Sequence, residues 1–322
     1  MRSVVTGGAG FIGSHLVDAL VAAGDDVLVI DDLSTGREEY LAGALEAGAS
    51  LAVGDISDAA FLKTELASFA PDRLFHLAAQ ASVRHAVADP AFDASVNVIG
   101  TINVLEAVRE TGDAGVVFAS TGGAVYGEGE GRRLPFIEAS SADPHTPYGA
   151  SKLAGEFYVA LYRRLHDTPG VVLRFANVYG PRQDPAGEAG VVAIFCGRLL
   201  GCDRPIVFGD GLQTRDYIYV ADAVEAMIAA ASTLGDPPSP EPAAPLNIGT
   251  GTETSVLELL ELLGAIAEID SEPELRPPRA GEVQRVSIDP TAAASAIGWT
   301  PSVRLEDGLR RTFEAMRPGP PG

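Results

Sequence analysis

The sequence predicts an α/β protein built on a doubly wound parallel sheet, and three observations predict it. Short apolar runs alternate with helix-like stretches through the first half of the chain, the pattern that strand–helix–strand crossovers impose on a parallel sheet. A glycine-rich turn, Gly7-x-x-Gly10-x-x-Gly13, follows the first apolar run. An acidic pair, Asp31-Asp32, closes the second. With 322 residues, 46% of them hydrophobic, the chain can build one large domain or two modest ones.

The elements follow in order. Val4-Val5 ends a strand over 2–5, and Leu16 to Ala23 continues a helix over 12–23. Further strands are predicted at 27–31, 51–53, 73–77, 115–119 and 171–176, with helices between them at 38–48, 58–69, 93–111 and 148–166. After Pro181 the pattern becomes irregular, with Gly- and Pro-rich turns at 180–190 and 209–213. The proline-rich stretch 237–245 reads as a surface loop, and the tail from Pro318 to Gly322 as disordered. Two domains are expected: residues 1–178, to which part of 216–263 returns, and an interleaved domain over 179–322. Ligands of such sheets sit at the carboxyl ends of the strands, so motifs there carry the most weight.

The glycine turn has the context of a dinucleotide site. Gly7 allows the tight turn, Gly10 lets the backbone approach a pyrophosphate, and Gly13 lets the helix pack closely on the strand. The helix start then offers free N–H groups to phosphate. An acidic residue about 20 positions on, here Asp31, suits the adenosine ribose hydroxyls and repels a 2′-phosphate. The first arginine after it is Arg37. These features favour NAD over NADP; the plainer alternative is a turn followed by a strand end.

The net charge is −21, which argues against a nucleic-acid-binding surface, since that would need basic stripes. An anionic small ligand is still allowed, because a few local arginines can hold one diphosphate. Lys63 and Lys152 are the only lysines. Cys196 and Cys202 lie close in sequence without nearby histidines, so they read as reduced thiols and not as a metal site. No secretory leader precedes the first strand, and no apolar run reaches transmembrane length. A cytoplasmic enzyme without a membrane partner is expected.

Tyr148-Gly149-Ala150-Ser151-Lys152 opens the helix after Pro144 and Pro147. Tyr148 and Lys152 are four apart and share one helical face. An ammonium near a phenol lowers the phenol's pKa from about 10, which would make Tyr148 a general base near neutral pH. A solvated helix pair is the bland alternative. The strand at 115–119 runs into Ser120 and Thr121. Either hydroxyl could bond a substrate oxygen and relay its proton to Tyr148, or simply cap the strand end.

With these residues assembled, the chain resembles the extended short-chain dehydrogenases/reductases, and within them the UDP-glucose 4-epimerase group of nucleotide-sugar epimerases. The matching stretches run nearly end to end: Thr6–His15, Asp31–Gly36, Gly54-Asp55-Ile56, His76–Ala79, Asn97–Ala107, Ala119–Gly127, Tyr148–Lys152, Leu173–Pro181, Phe208–Val220, Asn247–Gly251 and Arg279–Glu282. The resemblance implies a Rossmann-type sheet with a smaller α/β substrate-binding C-terminal domain. It assigns Gly7, Gly10, Phe11, Ile12 and Gly13 to the pyrophosphate of NAD. Asp31, Asp32, Ser34, Thr35 and Gly36 take the adenosine ribose side, and Asp55 and Ile56 flank the adenine. Leu77, Ala78 and Ala79 line the cofactor with Asn97 in support, Lys152 binds the nicotinamide ribose, and Ala176 lies by the nicotinamide.

For a UDP-sugar substrate the resemblance implies Asn177 facing the diphosphate-sugar, Val191 offering backbone contacts, Arg215 and Arg279 clamping the diphosphate, and Glu282 beside them. Charged guanidinium forks pair well with phosphate oxygens; a surface ion pair is the alternative for each arginine. Matched back from Tyr126, the usual catalytic hydroxyl position holds Gly122, so the hydroxyl is assigned to Thr121, with Ser120 second. Val286 stands where some members carry a tyrosine gate, which leaves room for a 2-N-acetyl group. The implied reaction is epimerisation at C4 through a transient 4-keto sugar, with NAD retained and no net oxidation. A nucleotide-sugar reductase, a 4,6-dehydratase or decarboxylase, and a non-catalytic NAD-binding sensor are the rival readings. In related enzymes the helices at 93–111 and 148–166 pair between subunits, which implies a homodimer.

Overall fold

The computed structural model describes residues 1–112, 114–185, 190–234, 244–269, 272–279 and 282–317. The first half alternates strand and helix. It runs through β1 (Arg2–Thr6), α1 (Phe11–Ala22), β2 (Asp26–Asp31), a 3-10 turn at Glu38–Leu41, α2 (Ala42–Glu46), β3 (Ser50–Val53), α3 (Ala59–Phe69) and β4 (Arg73–His76). Next come α4 (Val83–Ala88), α5 (Pro90–Ala94), a π-helical stretch at Ser95–Gly100, α6 (Thr101–Thr111), β5 (Gly115–Thr121), α7 (Gly122–Val125), α8 (Pro147–His166) and β6 (Gly170–Phe175). The strands fall within a residue or two of the predicted ranges.

The seven-stranded sheet has the order β11-β6-β5-β4-β1-β2-β3, where β11 is Leu246–Ile248, and every pairing in it is parallel. From β1 the chain winds outward to β3 on one side and then, from β4, outward on the other. The crevice at that reversal is where such sheets bind ligands. Strand alternation buries both faces. Val5, Val29, Phe75, Val117 and Leu173 face one core with residues of α1, and Val4, Leu28, Leu74, Val116 and Val172 face the other with residues of α3, α6 and α8.

The second half supplies a smaller lobe. Besides α10 (Val220–Ala231) and α12 (Thr291–Ile297), which pack on the large-sheet layer, the second half contains β7 (Asn177–Tyr179), α9 (Val191–Leu200), β8 (Ile206–Phe208), β9 (Thr214–Arg215), β10 (Tyr217–Tyr219), β12 (Thr254–Ser255), α11 (Val256–Ala267), β13 (Glu274–Arg276) and α13 (Leu305–Met316). Three two-stranded pairings, β7 with β10, β9 with β12 and β8 with β13, carry it. Phe195, Leu199, Leu259, Leu263, Leu309 and Phe313 form its core. α10 packs on α1 and β11 joins the large sheet, so both elements belong to the first layer.

Local chemistry sets the helix starts. Asp58 accepts the N–H groups of Ala60 and Phe61 ahead of α3. Thr146 accepts from Gly149 ahead of α8, whose first position is Pro147. Ser255 and Glu258 close a capping box on α11. Residues 237–243 of the proline-rich stretch and the tail 318–322 lie outside the described residues.

One expectation needs correction. The helical run Pro90–Thr111 is 22 residues long with a mean hydropathy of 1.2, long and apolar enough to cross a membrane. Asp93, Asn97 and Glu106 break it up in the sequence, but α5, the π-helical stretch and α6 join head to tail. The run packs on α3 and α8, with 44% of its apolar window buried. The apolar residues of α5, the π-helical stretch, α6 and α8 divide. Leu105, Val108 and Val159 are core, whereas Phe157 is 68%, Ile99 52% and Phe92 45% exposed.

Candidate active site

The glycine turn is built as a cradle. Gly7 has φ +71°, in the left-handed region, and a Cβ there would lie 2.6 Å from the Ala78 nitrogen. A Cβ on Gly13 would run into the Gly7 carbonyl oxygen. α1 starts at Gly10 with no side-chain cap, so the amides of Phe11, Ile12 and Gly13 are open to a phosphate. Leu77 and Ala78 run beside the turn, their N–H groups donating to the carbonyl and the hydroxyl of Thr6 at 3.1 and 3.4 Å.

Asp31 ties this turn to β2. One carboxylate oxygen accepts from the Ala9 N–H at 2.9 Å and the other from the Leu33 N–H at 2.9 Å. Burial pushes its carboxyl above the usual range, against those two bonds. Gly36 closes on it, since a Cβ there would lie 2.6 Å from Asp31 Oδ1. Asp32 behaves differently: it is exposed and takes the Ser34 N–H and hydroxyl at 3.0 and 2.7 Å. It therefore shapes the Ser34-Thr35-Gly36 turn, and Asp31 is the buried carboxylate of the pair. Ile56 is buried against Gly100, while Asp55 is exposed and accepts the Ser57 N–H.

Asn97 is a brace. Its side-chain oxygen accepts from the Gln80 N–H at 2.8 Å, and its amide donates to Gln80, Asp93 and Ser151. It thereby locks the loop after β4 to α8. Asp93 escaped the sequence reading, because nothing in its own neighbourhood marks it. It is 1% exposed, with Oδ1 accepting from Gln80 and Asn97 and Oδ2 left without a partner.

Tyr148 and Lys152 lie on the face of α8 that meets the end of β5. Lys152 Nζ donates to the Ala119 carbonyl at 2.8 Å and sits 4.9 Å from the Phe118 ring centroid. Burial pulls its ammonium down to about 8, against the charges of Asp93 and Glu156. The Tyr148 phenol is pushed up to about 12, first by burial and then by Asp93. This corrects the expectation of a lowered pKa in the protein alone: the ammonium is directed at a carbonyl, and a carboxylate is the charge the phenol feels. His76, bridging Thr6 and Thr101, is held neutral by burial and by Lys152, at about 3.

The two hydroxyl candidates part company. Ser120 Oγ donates to Glu156 Oε1 at 2.5 Å in a buried network. Glu156 also pairs with Arg174 at 2.6 Å, and Arg174 donates to the Tyr126 hydroxyl, which donates to Asn247. Ser120 is thus turned into the core as the second candidate, whereas Thr121 faces the loop side, near Gly123. Across that loop, Asn177 Oδ1 would lie 3.2 Å from a Cβ on Gly123. Ala176 is buried beside Gly249, its N–H bonded to the Ile248 carbonyl at 2.9 Å.

Beyond Asn177 the second lobe opens a cleft of about 490 Å³, lined by Phe208, Gln213, Arg276 and Glu282 among others. Arg215 is half-buried beside Glu282 of that lining, donating to the Thr214 carbonyl at 2.8 Å and standing 3.8 Å from Glu282. Arg279 is exposed at the rim, its guanidinium 3.9 Å from the Phe208 ring centroid. Val191 begins α9, which has no side-chain cap. Val286 is 2% exposed and belongs to the core that includes Ala176 and Phe136. It is packed, not standing at an open gate, so a larger side chain there would have to displace neighbours.

Residues 3–249 match the model of the NAD dependent epimerase/dehydratase family. The UDP-glucose 4-epimerase of Mycolicibacterium smegmatis is 46% identical over 318 residues, covering 98% of this chain and 99% of that one. The UDP-glucose 4-epimerase of Thermotoga maritima, solved with UDP-glucose, superposes with a TM-score of 0.92 at 44% identity, covering 98% and 99%. The Thermus thermophilus UDP-glucose 4-epimerase, solved with NAD, gives 0.87 at 40% identity with the same coverage.

Proposed function

The chain belongs to the NAD dependent epimerase/dehydratase family, and from that premise we propose that it interconverts UDP-glucose and UDP-galactose by epimerisation at C4. The observation that carries the reading is the meeting of the Tyr148–Lys152 face with the Thr121-Gly122-Gly123 strand end. No carboxylate stands between Thr121 and Tyr126, where proton transfer at C5 or C6 would need one.

The cradle of Gly7, Gly10 and Gly13, the open first turn of α1 and the buried Asp31 fit NAD. When bound, NAD supplies the acceptor and donor of the C4 hydride. The protein supplies the rest. Tyr148 takes the proton of the C4 hydroxyl and returns it to the same oxygen, so the proton balance is zero over a cycle. Thr121 bonds that oxygen and orients it. Lys152 holds the nicotinamide ribose and brings positive charge towards the phenol. Arg215, Arg279, Asn177, Glu282 and the Val191 backbone hold the UDP moiety. Incubation with a panel of UDP-sugars, read by NMR, tests the reading: inversion at C4 of UDP-glucose without net NADH consumption supports it. Stoichiometric consumption of NADH would make the enzyme a reductase.

A closed cycle has no need to release its cofactor. NAD is therefore expected to copurify, to appear on denaturation, and to make added cofactor nearly unnecessary. Protein that is empty yet fully active only on addition of NAD would contradict this.

The reading extends to a homodimer. Phe92, Ile99 and Phe157 expose apolar surface on the α5–α6 run and on α8, elements that pack against each other, and an exposed apolar face is a common mark of a protein–protein contact. Light scattering at micromolar concentration should give twice the chain mass of 33.4 kDa; a monomer would refute it. A cytoplasmic location is part of the same proposal, supported by the free thiols of Cys196 and Cys202.

A further inference from the structure

Asp93, near the end of α5, plays no part in the proton transfer described for Tyr148, yet its setting is a costly one. It is 1% exposed. Its Oδ1 accepts from the side-chain amides of Gln80 and Asn97, each at 3.0 Å, and its Oδ2 has no partner. Both donors are neutral, so the carboxylate is buried without a cation bonded to it. Burying a charge in that way destabilises the fold, and such a group calls for a role.

The surroundings lead to α8. The Asn97 amide that donates to Asp93 donates also to the Ser151 hydroxyl at 3.1 Å, and Ser151 donates to the Tyr148 carbonyl at 3.0 Å. Asp93 thus reaches the first turn of α8 through two side chains, and α5 packs on α8 directly. The other charged groups around the Tyr148–Lys152 pair are occupied or lie at the surface. Glu156, one turn beyond Lys152, is paired with Arg174 at 2.6 Å. His76 of β4 is neutral. Glu106 of α6 is held by Arg109 at 2.6 Å and by the Tyr162 hydroxyl. Asp143 and His145, ahead of α8, lie 3.4 Å apart at the surface, and Arg84, His85 and Asp89 are exposed.

We infer that Asp93 is the buried counter-charge of the Tyr148–Lys152 pair, a positioning residue that sets the pH window in which the phenol and the ammonium work and, through Asn97 and Ser151, seats their helical turn. The C4-epimerase reading enters only in what that window serves. A negative charge favours the protonated form of every neighbour. Burial pulls the Lys152 ammonium down, and Asp93 opposes it ahead of Glu156, which leaves it at about 8. Burial pushes the Tyr148 phenol up, and Asp93 adds to it. Tyr148 must be a strong enough base to take the proton of the C4 hydroxyl before returning it to the same oxygen, and Lys152 must stay charged meanwhile. One carboxylate serves both needs. Without it, the phenolate becomes a weaker base and Lys152 loses its charge at a lower pH.

The chain has two lysines, Lys63 and Lys152, so NMR of the purified protein carrying isotope-labelled lysine follows Lys152 directly, with the exposed Lys63 as internal reference. Asp93→Asn keeps the shape and the Oδ1 acceptor and removes the charge. The expected result is a Lys152 titration midpoint lowered by about one pH unit, the scale on which a neighbouring charge moves a pKa, with Lys63 unmoved. Both limbs of the kcat/KM profile for UDP-glucose should move to lower pH by a similar amount. Asp93→Glu, which keeps the charge, should leave both limbs in place even where kcat falls. A Lys152 midpoint that is unchanged or raised in Asp93→Asn overturns the inference. So does a slower variant with both limbs in place, which would mean a structural brace alone. Asp93→Ser, smaller and also neutral, carries the same expectation should Asp93→Asn not fold, and failure of both to fold overturns the inference too. Wild-type protein that inverts no UDP-glucose overturns the epimerase reading instead, and the lysine titration still decides the role of Asp93.

Discussion

Tyr148→Phe is expected to lower kcat about a thousandfold, within the 10²–10⁴ range of a lost general base, while the protein stays folded. The phenyl ring keeps the packing of a half-buried side chain, and the Tyr148 hydroxyl makes none of the hydrogen bonds found among the described residues, so little else changes. In the free protein the phenol sits at about 12 and the Lys152 ammonium at about 8. The sign for activity follows. The base works deprotonated and its folded-state pKa is raised, so kcat/KM should climb as pH rises from acid. Loss of the Lys152 charge should bend the profile over as pH passes about 8. In Tyr148→Phe the residual rate should lose the acid-side dependence. A variant with near-wild-type turnover and the same acid limb would show that another group moves the proton.

Glu156→Ala is expected to have the largest effect on stability, about 3–5 kcal/mol, the cost of leaving one partner of a buried ion pair alone. The Arg174 and Glu156 side chains are each 7% exposed. Three hydrogen bonds join them at 2.6, 2.9 and 3.2 Å, and Ser120 adds another to the same carboxylate. Removing the carboxylate strands a guanidinium between β5, β6 and α8. For a chain of this size each kcal/mol shifts Tm by roughly 2–4 °C, so a fall on the order of 10 °C should be seen by thermal melts. Glu156→Gln, which keeps the acceptor for Ser120 or Arg174 but loses the charge, should fall between that variant and wild type. A melt within 2 °C of wild type for Glu156→Ala would mean that the network contributes little net stability.

Sequence alone was sufficient wherever the governing chemistry is local or periodic. The strands of the large sheet are continuous apolar runs, because a parallel strand is buried on both faces, and β1 to β6 are found where those runs lie. The glycine turn is legible because φ +71° at Gly7 and the missing Cβ at Gly13 are backbone requirements that name their residue type. Asp31 is legible by its distance from that turn, and the Tyr148–Lys152 pair by helical spacing. The seventh strand was not legible: Leu246–Ile248 is three residues long, too short for a periodic signal, and only its pairing with β6 defines it.

Tertiary structure alone decided the properties that depend on residues far apart in the chain. Ser120 and Thr121 are equivalent in a string. Glu156 and Arg174, 36 and 54 positions from Ser120, form the network that holds the Ser120 hydroxyl, whereas the Thr121 hydroxyl lies near Gly123. The Tyr148 phenol is pushed up first by burial and then by Asp93, 55 positions away, and not lowered by the neighbouring ammonium, because in a buried site burial and the facing charge outweigh helical adjacency. The unpartnered hydroxyl of Tyr217 belongs to the same class. Neither its burial nor its want of an acceptor among the described residues exists until β7 and β10 are brought side by side.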